Sequence, residues 1–207
     1  MIKTRVVKIG ILGLGTVGLG FLKAINKKQF IRELFALGLE VRVVTACVKT
    51  LEKKRDLGGL ELSLTNDPFA LVRNPDVDIV VELMGGTSPT KDLILEAIKC
   101  GKNVVTANKA VIASFGEEIF TAVSKKKAQL GFEGAVAGGI PIIKILREGL
   151  VANEISSLEG IINGTTNFIL SGMARSGKTF TEVLQEAQNL GFAEQDPAFD
   201  ISGLDAA

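Results

Sequence analysis

Six residues near the N-terminus, Gly13-Leu14-Gly15-Thr16-Val17-Gly18, carry the most specific chemistry in this 207-residue chain. An apolar, β-branched run over residues 6–12 precedes them, and helical spacing opens at Thr16. A GxGxxG between a strand and a helix suits a pyrophosphate. Gly13 permits the tight turn, Gly15 lets the ligand's phosphates approach the backbone, and Gly18 lets the helix close on the sheet. The helix N-terminus, with Thr16 and Val17 in its first turn, offers N–H groups and a positive dipole to an anion. A glycine-rich turn retained for packing alone is the competing explanation.

The end of the second expected strand bears on the form of the dinucleotide. NAD sites usually carry an Asp or Glu there to hold a ribose 2′-hydroxyl. In this sequence Val48 is followed by Lys49 and Thr50, then by Lys53, Lys54 and Arg55. Cations without a carboxylate favour a 2′-phosphate, hence NADP, with NAD as the alternative. A solvated basic loop would look the same in sequence.

What is absent narrows the chemistry further. The chain has no histidine, tyrosine or tryptophan, which removes the Ser-His-Asp triad and the usual zinc sites. Acid–base work falls to Lys, Asp or Glu. A net charge of +1 excludes a nucleic-acid protein held by bulk charge. The charge is unevenly placed: residues 1–133 hold 20 basic and 14 acidic side chains, and residues 134–207 hold 4 and 9. Such a split suggests two regions facing different ligands. Cys47 and Cys100 have neither metal nor disulfide-framework spacing, so a reducing cytoplasm is the expected setting. The uncharged run over residues 9–22 mimics a signal peptide. It is too short to span a bilayer, which takes ~20 residues, and it holds five glycines. It reads as structure, and no membrane partner is expected.

These residues need elements to position them. Strands are expected over residues 6–12, 40–48, 79–82, 103–106 and 129–132, and helices over 16–27, 90–100 and 117–127. Leu93, Ala97 and Cys100, or Leu95 and Ile98, would face inward from the second of these helices. Alternating strands and helices predict an α/β fold, a Rossmann-type doubly wound parallel sheet. Residues 1–133 form this NAD(P)-binding domain. Residues 134–207 would begin an α+β substrate and dimerisation domain: a helix over 141–150 opened by Pro141, a strand over 154–162, and helices over 166–176 and 181–190.

Further motifs resemble those of one family. Ala107-Asn108-Lys109-Ala110, the loop Glu133-Gly134-Ala135-Val136-Ala137-Gly138-Gly139-Ile140-Pro141-Ile142, the stretch Gly160-Ile161-Ile162-Asn163-Gly164-Thr165-Thr166-Asn167, and AQNLGFAEQDPAFDISGLD over 187–205 occur in the order found in homoserine dehydrogenases. The resemblance spans the chain. It implies an oxidoreductase that interconverts L-homoserine and L-aspartate 4-semialdehyde with NAD(P)(H), on the route to threonine and methionine. Lys109 would stand by the nicotinamide and the reacting hydroxyl, with Asp205 as a second catalytic residue and Thr87 joining the cofactor set. Glu194 and Asp200 would bind the substrate ammonium, and Asn163, Gly164 and Thr165 would line its pocket. Glu133 with the carbonyls of Val136, Gly138 and Ile140 resembles a sodium or potassium site; a glutamate capping the Pro141 helix is the alternative. A homodimer is implied for the full-length form.

The sequence also departs from the pattern. In the family a lysine tied to proton transfer follows four residues after the equivalent of Asp205, two positions past Ala207. On this reading the chain is an N-terminal portion of such an enzyme, able to bind dinucleotide and poor at turnover. A dinucleotide-binding module without catalysis is the alternative from another class.

Overall fold

The computed structural model describes residues 4–193 and 196–203. They divide into two units, Met1–Leu146 and Arg147–Ala207.

The first unit is built on six parallel strands: β1 (Arg5–Leu12), β2 (Leu39–Cys47), β3 (Ser63–Thr65), β4 (Ile79–Glu82), β5 (Asn103–Thr106) and β6 (Leu130–Gly131). Their order across the sheet is β3-β2-β1-β4-β5-β6. The direction of winding reverses between β1 and β4, the place where dinucleotides bind in this architecture. The strand pattern explains the layers. On β1, Ile9 and Ile11 point to one face and Leu12 to the other; on β4, Val81 and Val80 divide likewise. One face is covered by α3 (Pro68–Arg73), α4 (Thr90–Lys99) and α5 (Lys109–Lys126), through Leu71, Leu93, Ile94, Ala97, Ile98, Val111 and Ile119. The other is covered over β1 and β2 by α1 (Thr16–Ile25), through Leu22 with Leu19, Phe21 and Ile25.

Several elements differ from the sequence-based expectation. The first helix stops at Ile25, and a separate α2 (Lys28–Ala36) follows; α2 buries none of its residues fully, although Phe30, Ile31, Leu34 and Phe35 fall on one side of it at helical spacing. The short β3 and α3 were also not expected. Helix α5 starts at Lys109 rather than at 117, because the Asn108 side chain accepts from Val111 N–H at 3.1 Å and caps it. A kink at Phe115 (φ −135°, ψ 16°) breaks the spacing that would have revealed the first half. In α4 the inward face is Leu93, Ile94, Ala97 and Ile98, while Cys100 is exposed. The helix expected over 141–150 forms over residues 142–149, but only α6 (Ile142–Lys144) is α-helical, and Ile145–Gly149 continues it as π-helix.

Lys102 is a buried cation that braces the sheet's amino edge. Its Nζ donates to the carbonyls of Asn74 and Val77, each at 2.6 Å, and burial pushes its pKa below the ordinary lysine value.

The second unit is helical: α7 (Gly164–Ser176), α8 (Phe180–Asn189) and the short α9 (Ala198–Ile201). Ile169, Val183, Ala187 and Ala193 form its core. Thr179 and Glu182 make a reciprocal cap that starts α8, and Gly191, with φ 76°, follows its end. The strand expected over 154–162 does not form. Its apolar residues Leu158, Ile161 and Ile162 are exposed, and no neighbouring strand among the described residues pairs with it. An unpaired strand cannot satisfy its own backbone, so strand-like composition alone is not enough. Among the described residues, no helix is long and apolar enough to cross a membrane.

Candidate dinucleotide and substrate sites

The carboxyl ends of β1, β2 and β4 surround a cleft of about 530 Å³ lined by Gly13, Gly15, Cys47, Lys49, Lys53 and Arg55, among others, with Leu83 and Met84 on the β4 side. Chain geometry dictates its floor. Gly13 has φ 98°, and a Cβ there would meet the Leu83 carbonyl at 2.8 Å. A Cβ on Gly18 would run into the Gly13 carbonyl. At Gly15 nothing lies within 4 Å of that direction, so this glycine faces open space. Two of the three glycines therefore serve packing, and the third leaves room for a ligand. Helix α1 begins directly after Gly15, with no side-chain cap and no acid in its first turn. Its first N–H groups lack intrahelical acceptors and have no carboxylate competing for them. Thr16 and Val17 are exposed there, Val17 at 61%.

Beyond β2 the cleft wall is cationic. Lys49 is exposed and lines the cleft with Lys53 and Arg55, and no carboxylate stands among the lining residues. Burial, followed by the charge of Asp67, pushes the Cys47 thiol pKa up, so this cysteine is a packing group rather than a nucleophile. The open glycine and the cationic wall fit a dinucleotide with its phosphates at α1.

Next to this cleft a set of buried polar groups ties β4 to β5. The Glu82 side chain is fully buried and accepts from Met84 N–H at 2.7 Å, Gly85 N–H at 3.3 Å and the Thr106 hydroxyl at 2.5 Å. The Thr106 oxygen accepts from Asn108 N–H at 3.0 Å, and the Asn108 amide donates to the Gly86 carbonyl at 2.6 Å. Thr90 donates to the Gly85 carbonyl at 3.1 Å. Lys109 follows as the first residue of α5, exposed at the carboxyl end of the sheet. Thr87 is half-buried in the turn entering α4. Sequence reasoning singled out Lys109 and Thr87 but not Glu82 or Thr106. The available signal was a carboxylate ending an otherwise apolar strand.

Glu133 closes the first unit differently from a simple ion site. Its two carboxylate oxygens accept from Ile143 N–H at 2.9 Å and Lys144 N–H at 2.8 Å, capping α6. The Ile140 carbonyl accepts from Ile142 N–H at 2.8 Å. Ala137, at φ 46°, turns the chain between Val136 and Gly138.

In the second unit, Asn163, Gly164, Thr165 and Asp200 share a cavity of about 630 Å³. The Asn163 side chain donates to Asp200 Oδ1 at 2.8 Å and accepts from Thr166 N–H at 2.7 Å as the cap of α7. The Thr165 hydroxyl donates to the Phe192 carbonyl at 2.8 Å. Glu194 and Asp205 lie outside the described residues.

A parallel sheet of this order, with an open glycine loop at its reversal and a basic cleft beside it, defines a Rossmann-type dinucleotide-binding protein. Residues 13–133 match the family model for the homoserine dehydrogenase NAD binding domain, and residues 141–207 match that for homoserine dehydrogenase itself. The chain belongs to the homoserine dehydrogenase family. It is 52% identical over 202 residues to the homoserine dehydrogenase of Neisseria gonorrhoeae, covering 97% of this chain and 46% of that protein. With that of Bacillus subtilis it is 43% identical over 203 residues, 98% of this chain and 47% of the relative. Among solved structures, a homoserine dehydrogenase from Thiobacillus denitrificans superposes with TM-score 0.89 at 52% identity, over 100% of this chain and 47% of that one. A hyperthermophilic archaeal homoserine dehydrogenase in complex with NADPH gives TM-score 0.80 at 30% identity, over 98% and 66%. The chain spans about half the length of the curated relatives it matches.

The three glycines predict separable effects. Gly15→Ala should leave the melting temperature nearly unchanged while weakening dinucleotide binding at least tenfold. Gly18→Ala should lower stability by about 1–3 kcal/mol, the cost of overpacking a close contact. Thermal melts and calorimetric titration with NADPH check both.

Proposed function

We propose that the protein carrying this chain interconverts L-homoserine and L-aspartate 4-semialdehyde, using NADP(H) in preference to NAD(H). The observation that carries the cofactor choice is the wall of Lys49, Lys53 and Arg55, without a carboxylate, at the end of β2. A 2′-phosphate gains from those cations, whereas a bare 2′-hydroxyl lacks its usual acceptor. Membership of the family supports the reaction. The match of residues 141–207 to the family's own model is unexpected for a module that only binds dinucleotide.

The nicotinamide, when bound, supplies the hydride acceptor or donor. The chain's residues supply the rest. Lys109, at the start of α5, would hydrogen-bond the reacting oxygen and stabilise charge that develops on it. Asp200, oriented by Asn163, would replace the water lost by the substrate ammonium, with Gly164 and Thr165 lining the same cavity. Glu194 and Asp205 are assigned to ammonium binding and catalysis on the family resemblance alone. We place the domain boundary at residue 133, with the cofactor domain before it, which also supplies Lys109, and the substrate domain after it. The two cysteines are free, which suits a reducing cytoplasm, and the assembly proposed is a homodimer.

A sodium or potassium ion on Glu133 and the carbonyls of Val136, Gly138 and Ile140 is a subsidiary proposal. The cap on α6 already occupies one direction on each Glu133 oxygen, so an ion would have to use the remaining lone pairs.

Two experiments follow. L-Homoserine should drive reduction of NADP+ faster than NAD+, Lys49→Glu should reverse that preference, and Lys109→Ala should lower the rate by about 10²–10⁴-fold. No homoserine-dependent reduction with either dinucleotide would favour the binding module. For the ion, melting temperature is compared in sodium, potassium and choline chloride. Choline should melt lowest, and Glu133→Gln should erase the difference; equal wild-type melts in all three salts leave Glu133 as a cap only.

A further inference from the structure

We propose that the buried Glu82 carboxylate biases the bound cofactor toward its oxidised form. This rests on the reading above, that a nicotinamide dinucleotide occupies the cleft.

The argument starts from the donors. Both Glu82 oxygens accept: Oε1 from Met84 and Gly85 N–H, Oε2 from the Thr106 hydroxyl at 2.5 Å. The Thr106 oxygen also accepts from Asn108 N–H, and Glu82 Oε2 is the acceptor its own proton meets. Acceptance on every bond is the pattern of an ionised carboxylate, and the short O–H···O contact is that of a charge-assisted bond. None of these partners is a cation, and no ion pair to Glu82 exists among the described residues. The charge is thus held by dipoles and not cancelled by a counter-ion.

Its position matters because of the topology. Glu82 ends β4, one strand beyond the reversal, and Thr106 ends β5 beside it. The cationic wall that meets the adenosine ribose lies at the end of β2, on the other side of β1. With the pyrophosphate at α1, the second nucleotide of the cofactor crosses toward the carboxyl ends of β4 and β5. The loop that Glu82 shapes, Leu83 and Met84 continuing into Gly85 (φ 77°) and Gly86 (φ 68°), is part of the cleft wall on that side. An oxidised nicotinamide carries a positive charge and the reduced ring carries none. A buried negative charge beneath that half of the cleft therefore lowers the free energy of the oxidised form alone. One unit charge acting over about a nanometre, at an effective dielectric constant of ~20, changes an equilibrium on the order of tenfold. A residue that merely held the loop in shape would affect both forms together.

The test is the ratio of affinities for NADP+ and NADPH, and in parallel for NAD+ and NADH, measured by calorimetry on wild type, Glu82→Gln and Glu82→Asp. Glu82→Gln should weaken the oxidised form relative to the reduced by about three- to tenfold. Glu82→Asp, which keeps the charge and disturbs the loop, should hold the wild-type ratio even if both affinities fall. A ratio unchanged within twofold in Glu82→Gln overturns the proposal while leaving the dinucleotide reading intact. Failure of wild type to bind any of the four overturns the reading beneath it. Should Glu82→Gln not fold, Glu82→Met decides: an uncharged side chain of similar length should weaken the oxidised form relative to the reduced by at least twofold. An unmoved or opposite ratio in that variant overturns the proposal.

Discussion

The approach of the Gly13 backbone to Leu83 and Met84 is the constraint on which the cofactor end of this molecule depends. β1 and β4 are adjacent in the sheet, and their chains leave it side by side, so a side chain at Gly13 would occupy the space of the Leu83 carbonyl. Without that space the loop could not turn under the start of α1. Gly18 then lets α1 lie against the same turn, and Gly15 is left facing outward. A tight interior contact thus creates an open exterior one. The two loops also share a wall of the cleft, so whatever sets Leu83 and Met84 in place also shapes the site.

Electrostatics divides this end of the sheet. At the end of β2 Lys49 and Lys53 are exposed, while Arg55 is half-buried and donates to the Lys53 carbonyl at 2.8 Å, an arrangement that suits capture of phosphate from solvent. At the end of β4 the Glu82 carboxyl group is fully buried and enclosed by neutral donors. Screening weakens the first kind of charge and hardly reaches the second. Binding of the dinucleotide should therefore weaken with salt mainly through its phosphates. Lys102 makes a further contrast at the opposite edge, where a buried cation held by two carbonyls supports the turn between α3 and β4.

Much of the first unit was legible in sequence because its signals are local. β-Branched runs marked β1, β2, β4 and β5, and the glycine spacing marked the turn from β1 into α1. Two of the elements not foreseen had weak local signals, since β3 is three residues long and the Phe115 kink hides the first half of α5; α2 had a clear one, Phe30, Ile31, Leu34 and Phe35 at helical spacing, and was missed all the same. The segment over 154–162 failed for the opposite reason, since a strand there requires a partner strand that the described residues do not supply. Among site residues, Asn163, Gly164, Thr165 and Asp200 share one cavity, whereas Glu133 turned out to carry a helix cap. Glu82 escaped notice because its role depends on Thr106, 24 residues away, and on backbone donors that no residue type reveals.

The central claim is that one cleft, at the carboxyl ends of β1, β2 and β4, receives the dinucleotide. Amide hydrogen exchange of the 207-residue chain, with and without NADPH, addresses it residue by residue. Protection should rise at Gly15, Thr16 and Val17, around Lys49, and at Leu83 and Met84, with little change in the separate groove lined by Ile25, Ile31, Val41 and Leu62. Protection confined to that second groove, or none at the glycine loop under saturating NADPH, would contradict the account.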